Sequence, residues 1–342
     1  MAFTVAGSIL GAGYVSGREL WQYFGSYGKN GIIGVVLSLA LIAVCNCMVV
    51  IVAQKSGKVT IDEVAIRFDI PWIHRLVGII CDLFYFVTAT IMVAGIGSLF
   101  NQLFGIPNIV GMLIAAFIIM FCVYFGIDLM VKIFDFTIPI LVIAAIIICI
   151  IRLSSTGFGA IQLRNTNDNP LLGNWFNAAL NYANLNLFAG IGILAPVANK
   201  LKSKSAGSLG VVTGAAFLLG IALAIILSIS TNNSYALEDL PMLELAKEMG
   251  VLYAAAYSIL LFIAMIGNGI ATTNAITNHL EISYPILFIK KRRLATIVVL
   301  GIVSLIIAGF GFSNLIAVVY PIMGYFSIVM IVFTVDHRLH LR

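Results

Sequence analysis

Apolar runs long enough to cross a bilayer, which takes about 20 residues, recur from one end of the chain to the other between short polar stretches. Counting them predicts ten transmembrane helices, near 3–24, 31–53, 76–100, 107–125, 128–152, 171–198, 206–230, 251–275, 294–311 and 313–335. Two of these segments depart from the pattern. The first contains Gly7-Ser8-Ile9-Leu10-Gly11-Ala12-Gly13-Tyr14-Val15-Ser16-Gly17-Arg18-Glu19, with four glycines and an Arg-Glu pair at bilayer depth. Gly costs about 1 kcal/mol in a helix interior, and a charged residue at the bilayer centre costs roughly 2.5–3.5 kcal/mol on insertion scales. Backbone unwinds at that depth only where it is buried in protein or lines a cavity, so the stretch predicts a broken first helix. The sixth segment carries Asn174, Asn177, Asn181, Asn184 and Asn186, then Gly190, Gly192 and Pro196. It predicts a second break over Asn184–Gly192.

Breaks in segments one and six divide the ten into two groups of five. Five helices per group force opposite topologies, an inverted repeat. The expected architecture is therefore an all-α integral membrane protein forming one transmembrane domain over 1–342, with repeat one at 1–152 and repeat two at 171–335. The basic residues support this count. With a cytoplasmic N-terminus, fourteen of the 19 Lys and Arg fall on inner loops, four (Lys29, Arg152, Arg164, Lys247) on outer loops, and Arg18 within the first span. That asymmetry follows the positive-inside rule and puts both termini in the cytoplasm.

Composition agrees. The chain is 61% hydrophobic and 10% charged, with mean hydropathy +1.10, against about 25% charged residues in soluble domains. The net charge of +5 sits on inner loops and does not signal nucleic acid. No cleavable signal peptide precedes the first segment, and the abrupt Met1-Ala2-Phe3 start leaves room for a short cytoplasmic lead before Met1. Cys45, Cys47, Cys81, Cys122 and Cys149 all lie in apolar runs and read as small buried hydrophobes. His74, His279, His337 and His340 read as loop or terminal residues without metal-ligand spacing. No phosphate-binding loop, nucleophile elbow or H-E-x-x-H occurs, so neither an enzyme nor an ATP-driven pump is expected.

The first break suggests a chemistry. Ser16-Gly17-Arg18-Glu19 has the spacing of a capping box, which would start a half-helix near Ser16 with its N-terminus at the membrane centre. Such an end presents unpaired N–H donors and a partial positive charge, suited to a substrate carboxylate. On this reading Glu19 is a cap, or a partner of Arg18, before it is a proton carrier. Tyr14 either packs on substrate as a gate or fills ordinary core. Asp82, in span three, has no partner near in sequence and is a candidate for ion or proton movement. Asp135 has Lys132 three residues before it and is equally well a structural pair. Span eight contains Gly267-Asn268-Gly269-Ile270-Ala271-Thr272-Thr273-Asn274. Its hydroxyls and carbonyls either hold Na⁺ against the first break or serve helix packing. Thr60-Ile61-Asp62-Glu63 is a second capping box, expected to open a short helix along the inner interface. Residues 239–249 read as an outer amphipathic helix, either connector or lid.

Gly11-Ala12-Gly13-Tyr14-Val15-Ser16-Gly17-Arg18-Glu19, followed by Trp21-Gln22-Tyr23-Phe24, resembles the signature of the YkvI-like bacterial membrane proteins, which usually carry Phe at the position of Tyr14. That family looks like a ten-helix branch of the amino acid–polyamine–organocation superfamily with the LeuT-type fold. The resemblance implies a secondary transporter working by alternating access on a small amino acid or related zwitterion, in the bacterial inner membrane, as a monomer or homodimer. It implies substrate contacts from Gly11, Ala12, Gly13 and Tyr14, with Ser16 and Gly17 adjoining, and from Asn184, Asn186, Phe188 and Gly190. By the same likeness Na⁺ would sit at Gly11, Ala271, Thr272 and Thr273. Some proton-coupled relatives carry a Lys on span five, where this chain has the apolar stretch Thr137–Ile140. A ligand-sensing receptor on a transporter scaffold and a channel are the competing readings.

Overall fold

The structure is a computed structural model describing residues 9–57, 64–67, 70–126, 128–199, 204–283 and 290–340. The first segment is interrupted: helix α1 (Ala12–Val15) is followed by the single turn α2 (Arg18–Leu20), which runs on as a π-turn over Trp21–Gly25. Then come α3 (Lys29–Ser56), α4 (Pro71–Phe104), α5 (Asn108–Phe125), α6 (Asp128–Thr156), α7 (Trp175–Ala198), α8 (Lys204–Ile229), the short α9 (Pro241–Glu248), α10 (Val251–Ser283), α11 (Lys290–Ala308) and α12 (Phe312–His340). Among the described residues, seven helices are long and apolar enough to cross a bilayer: α3 to α6, α8, α10 and α12. The broken first segment, α7 and α11 fill the other three expected places as helices without meeting that measure. Large apolar side chains face outward, among them Phe117, Phe121 and Phe125 on α5 and Ile143, Ile147 and Ile150 on α6. Patches of this kind are rare on water-exposed surfaces and natural against lipid. The chain is a multi-pass membrane protein.

The break in the first helix is completely accounted for in hydrogen bonds. Continuing α1 past Val15 would bond the carbonyls of Gly13, Tyr14, Val15 and Ser16 to the N–H groups four residues on. Each instead takes another donor. Ser16 Oγ donates to Gly13 O at 2.9 Å, Gly17 N–H to Tyr14 O at 3.1 Å, Tyr257 Oη to Val15 O at 2.7 Å and Met242 N–H to Ser16 O at 3.0 Å. Gly17 makes the turn with φ +84°, a region that costs any residue bearing a Cβ. A Cβ at Gly17 would also lie 2.7 Å from Ile229 Cδ1 and 3.1 Å from Met242 Cγ.

The expected capping box at Ser16 does not form. The N-cap of α2 is Gly17, one residue later, with no side-chain cap bond. Ser16 Oγ donates to the Gly13 carbonyl at 2.9 Å and accepts from Arg18 N–H at 3.4 Å and not from Glu19 N–H, and the Glu19 side chain turns to Tyr182. The break expected over Asn184–Gly192 is also absent, because α7 runs unbroken from Trp175 to Ala198. Four of the five asparagines between 174 and 186 are hydrogen-bonded without unwinding it. Asn174 caps its N-terminus by accepting from Asn177 N–H at 2.9 Å. Asn177 donates to Tyr325 Oη at 2.6 Å. Asn181 donates to Pro321 O at 2.8 Å and accepts from Tyr23 Oη at 3.1 Å. Asn186 donates back to Tyr182 O at 3.0 Å. A similar repair serves α12: Pro321 has no N–H for the carbonyl of Ala317, and Asn169 Nδ2 donates to that carbonyl at 2.8 Å.

On the outer side, α9 sinks into the protein with Met242, Leu243, Leu245 and Ala246 fully buried. Gln102 of α4 both donates to Leu240 O at 3.2 Å and accepts from Leu240 N–H at 3.2 Å. Asp239 accepts from Ser98 at 2.6 Å and from Ser313. Burial alone would raise the Glu244 carboxyl, but hydrogen bonds from Gln102 and Lys247 outweigh it and hold its pKa below the ordinary value. On the inner side the Thr60–Glu63 capping box lies outside the described residues. Val64, Ala65 and Ile66, which follow it, are buried.

Gly17→Ala combines positive-φ strain with overlap on Ile229. It is expected to cost about 1–3 kcal/mol, read as a lowered melting temperature of the detergent-solubilised chain. An unchanged melting temperature contradicts the described turn.

Candidate functional site

A cavity of about 330 Å³ lies beside the break. From the first segment it is lined by Ile9, Leu10, Gly11, Gly13 and Glu19. Helix α4 contributes Phe84, Tyr85, Thr88 and Met92, and α7 contributes Leu185 and Asn186. Helix α10 adds Asn268, Ala271, Thr272 and Ala275, and α12 adds Tyr320. Polar groups from five helices thus converge on one space, the usual form of a small-molecule site.

Glu19 is its most unusual group. The side chain is 6% exposed. Its Oε1 accepts from Tyr182 Oη at 2.8 Å. Its Oε2 lies 2.7 Å from where a Cβ on Gly13 would be, so the glycine leaves the carboxylate its place. Tyr182 is locked in turn by edge-on contacts with Tyr23 and Phe24, each at 5.0 Å between ring centroids. Arg18, the neighbour in sequence, leaves on the opposite side and donates to Ala236 O at 2.7 Å. It lines a separate outer cavity of about 590 Å³ with the polar side chains of Gln22, Ser26, Asp168 and Asn233. One turn of α2 separates the two cavities.

Gly11, Gly13 and Asn186 of the expected substrate set line the central cavity, as do Ala271, Thr272 and Glu19 of the expected ion set. The other expected residues lie elsewhere. Ala12 is buried away from the lining. Tyr14 is fully buried and donates to Leu218 O at 2.7 Å, so it is a strut to α8. Ser16 and Gly17 face Met242 and the α8 residues Ile225 and Ile229, which withdraws them from any substrate carboxylate. Asn184 is buried outside the lining. Gly190 backs onto Asn46 of α3, whose fully buried amide has no partner among the described residues. The side chains of Phe188 and Asp135 lie outside the described residues.

Thr272 and Thr273 do not converge. Thr272 faces the cavity and donates to Asn268 O at 2.8 Å, whereas Thr273 faces a small void shared with Ala116 of α5 and Ser304 of α11. Adjacent residues on a helix point about 100° apart, and here only one hydroxyl can face the break. Among the described residues no cluster of three or more His, Cys, Asp or Glu is placed to hold a metal ion. Asp82 has a partner after all: its Oδ2 is 2.7 Å from Nδ1 of His279 on α10. All four histidines lie in helices, His74 in α4, His279 in α10 and His337 and His340 in α12, and His337 is buried with its Nδ1 2.8 Å from Val64 O.

Sequence reasoning missed Tyr85, Thr88, Met92 and Tyr320, and named Asn268 only within the span-eight stretch. A signal existed: residues 85, 88 and 92, and residues 268, 271, 272 and 275, each follow the helical spacing of one face.

With this geometry in place, the comparisons with known proteins define the class. No protein-family model matches the chain. The chain adopts the LeuT-type fold: it superimposes on MhsT in complex with L-phenylalanine with TM-score 0.67 at 15% identity, covering 96% of this chain and 87% of that one. Mhp1, a nucleobase-cation-symport-1 family transporter in a closed conformation with bromovinylhydantoin bound, gives TM-score 0.62 at 15% identity over 96% and 77% of the two chains. In sequence, a homologue is the membrane protein YkvI of Bacillus subtilis (strain 168), 25% identical over 334 residues, 97% of this chain and 93% of that protein.

Tyr182→Phe removes the donor to Glu19 and is expected to destabilise the protein by about 1–3 kcal/mol. A thermal melt indistinguishable from that of the unsubstituted protein contradicts the described Glu19–Tyr182 bond.

Proposed function

We propose that the chain is a secondary active transporter of a small solute, an amino acid or related zwitterion, moved by alternating access and coupled to Na⁺ or H⁺. The observation that carries this reading is the cavity at the interrupted first helix, on which polar groups from five helices converge. Discontinuous helices at such a site are characteristic of carriers. The LeuT-type fold supports it, and the L-phenylalanine bound to MhsT favours an amino acid. Cavities on either side of α2 suit a carrier that exposes one site to each side in turn. The distribution of Lys and Arg supports an inner bacterial membrane with both termini cytoplasmic, and the helix order supports inverted repeats at 1–152 and 171–335. Gly11, Ala271 and Thr272 are the proposed neighbours of a coupling cation, with the single hydroxyl of Thr272 as its side-chain ligand.

Counterflow in proteoliposomes tests the reading. Labelled amino acid is expected to enter vesicles preloaded with the same unlabelled compound. Gly13→Leu, which fills the space beside Glu19, is expected to abolish that exchange while the protein still elutes as a folded species. Saturable binding without exchange overturns the carrier reading.

A further inference from the structure

We infer that the cargo carries a protonated amine and that Glu19 is the side chain that holds it. The inference rests on the carrier reading and narrows it.

The cavity lining contains a single charged side chain among the described residues, Glu19. Among the described residues no Lys, Arg or His forms an ion pair with it, and the nearest cation in sequence, Arg18, is committed to the carbonyls of Ala236 and Glu238 on the outer loop. One neutral hydrogen bond, from Tyr182, does not offset the cost of an isolated carboxylate at this depth. The site is therefore built to receive positive charge.

The other groups at the break exclude the reverse arrangement. The carbonyls of Gly13, Tyr14, Val15 and Ser16 already accept from Ser16 Oγ, Gly17 N–H, Tyr257 Oη and Met242 N–H, which leaves the Glu19 carboxylate as the strongest acceptor in the lining for a cargo amine. A cargo carboxylate finds no cationic side chain among the described residues of the lining, and Ser16, at the expected helix start, faces away. Phe84, Tyr85 and Tyr320 also line the space, and aromatic faces attract cations. A zwitterionic amino acid satisfies these terms through its α-amino group, and an amine without a carboxylate satisfies them equally well. An organic anion does not.

Ligand-dependent melting and equilibrium binding of the purified full chain test the inference. The probes are the proteinogenic amino acids, their decarboxylated amines and their deaminated acids. One or more of the amine-bearing compounds is expected to bind, and its deaminated counterpart is expected not to. Glu19→Gln keeps the shape and an acceptor for Tyr182. It is expected to weaken binding of the amine roughly thirtyfold or more, as loss of one partner of a buried charge pair does. Deaminated acids that bind as tightly as the amines overturn the inference, as does undiminished affinity in Glu19→Gln or binding by no amine-bearing probe. The comparison of amine with deaminated acid in the unsubstituted protein decides the matter even if Glu19→Gln does not fold. Amine-selective binding without counterflow removes the carrier reading and leaves amine recognition by Glu19 standing.

Discussion

Four carbonyls in a row, Gly13 to Ser16, lose their helical partners when the first segment breaks, and the rest of the structure is arranged to replace those partners. In lipid an unsatisfied backbone group costs several kcal/mol, so the break exists only because α9 brings the Met242 amide and α10 brings the Tyr257 hydroxyl to meet it. The remaining two bonds are local, from Ser16 Oγ and Gly17 N–H. With its donors supplied, the chain turns at Gly17 and sends Arg18 and Glu19 to opposite sides. That turn is what puts a carboxylate into the central cavity and a guanidinium into the outer one.

The same bonds tie the outer surface to the site. Helix α9 is joined to the break through Met242, to α4 through Gln102, and, through Asp239 just before it, to α4 and α12. Arg152 of α6 holds the end of α9 through Glu248 at 2.8 Å. The first helix is thus tied to the outer loop through one backbone hydrogen bond, from Met242 N–H to Ser16 O.

Much of this was legible in the sequence, and the failures have physical causes. The spans follow from runs of apolar residues, and the break at Gly17 follows from glycine density at bilayer depth. The capping box failed because Ser16 and Glu19 have the spacing of one, while the competing acceptor and donor, Gly13 O and Tyr182 Oη, are invisible to local pattern. The second break failed because asparagine in a span signals either unwinding or a distant partner. For Asn181 the partners Pro321 and Tyr23 lie 140 and 158 residues away in sequence. Asp82 and His279, 197 residues apart, were read separately for the same reason. The cavity faces of α4 and α10 carried helical periodicity, but a stripe at Tyr85, Thr88 and Met92 is indistinguishable from core until a fold sets the break opposite to it.

The account turns on which face of the first segment meets the aqueous cavity. Single cysteines introduced at Gly11, Thr88, Thr272, Ala12 and Ser16 in a background lacking the five native cysteines, followed by reaction with a membrane-impermeant thiol reagent in permeabilised vesicles, measure this directly. The account predicts labelling at Gly11, Thr88 and Thr272, slowed by cargo, and protection at Ala12 and Ser16. Rapid, cargo-sensitive labelling at Ala12 and Ser16 with protection at Thr88 and Thr272 would contradict it.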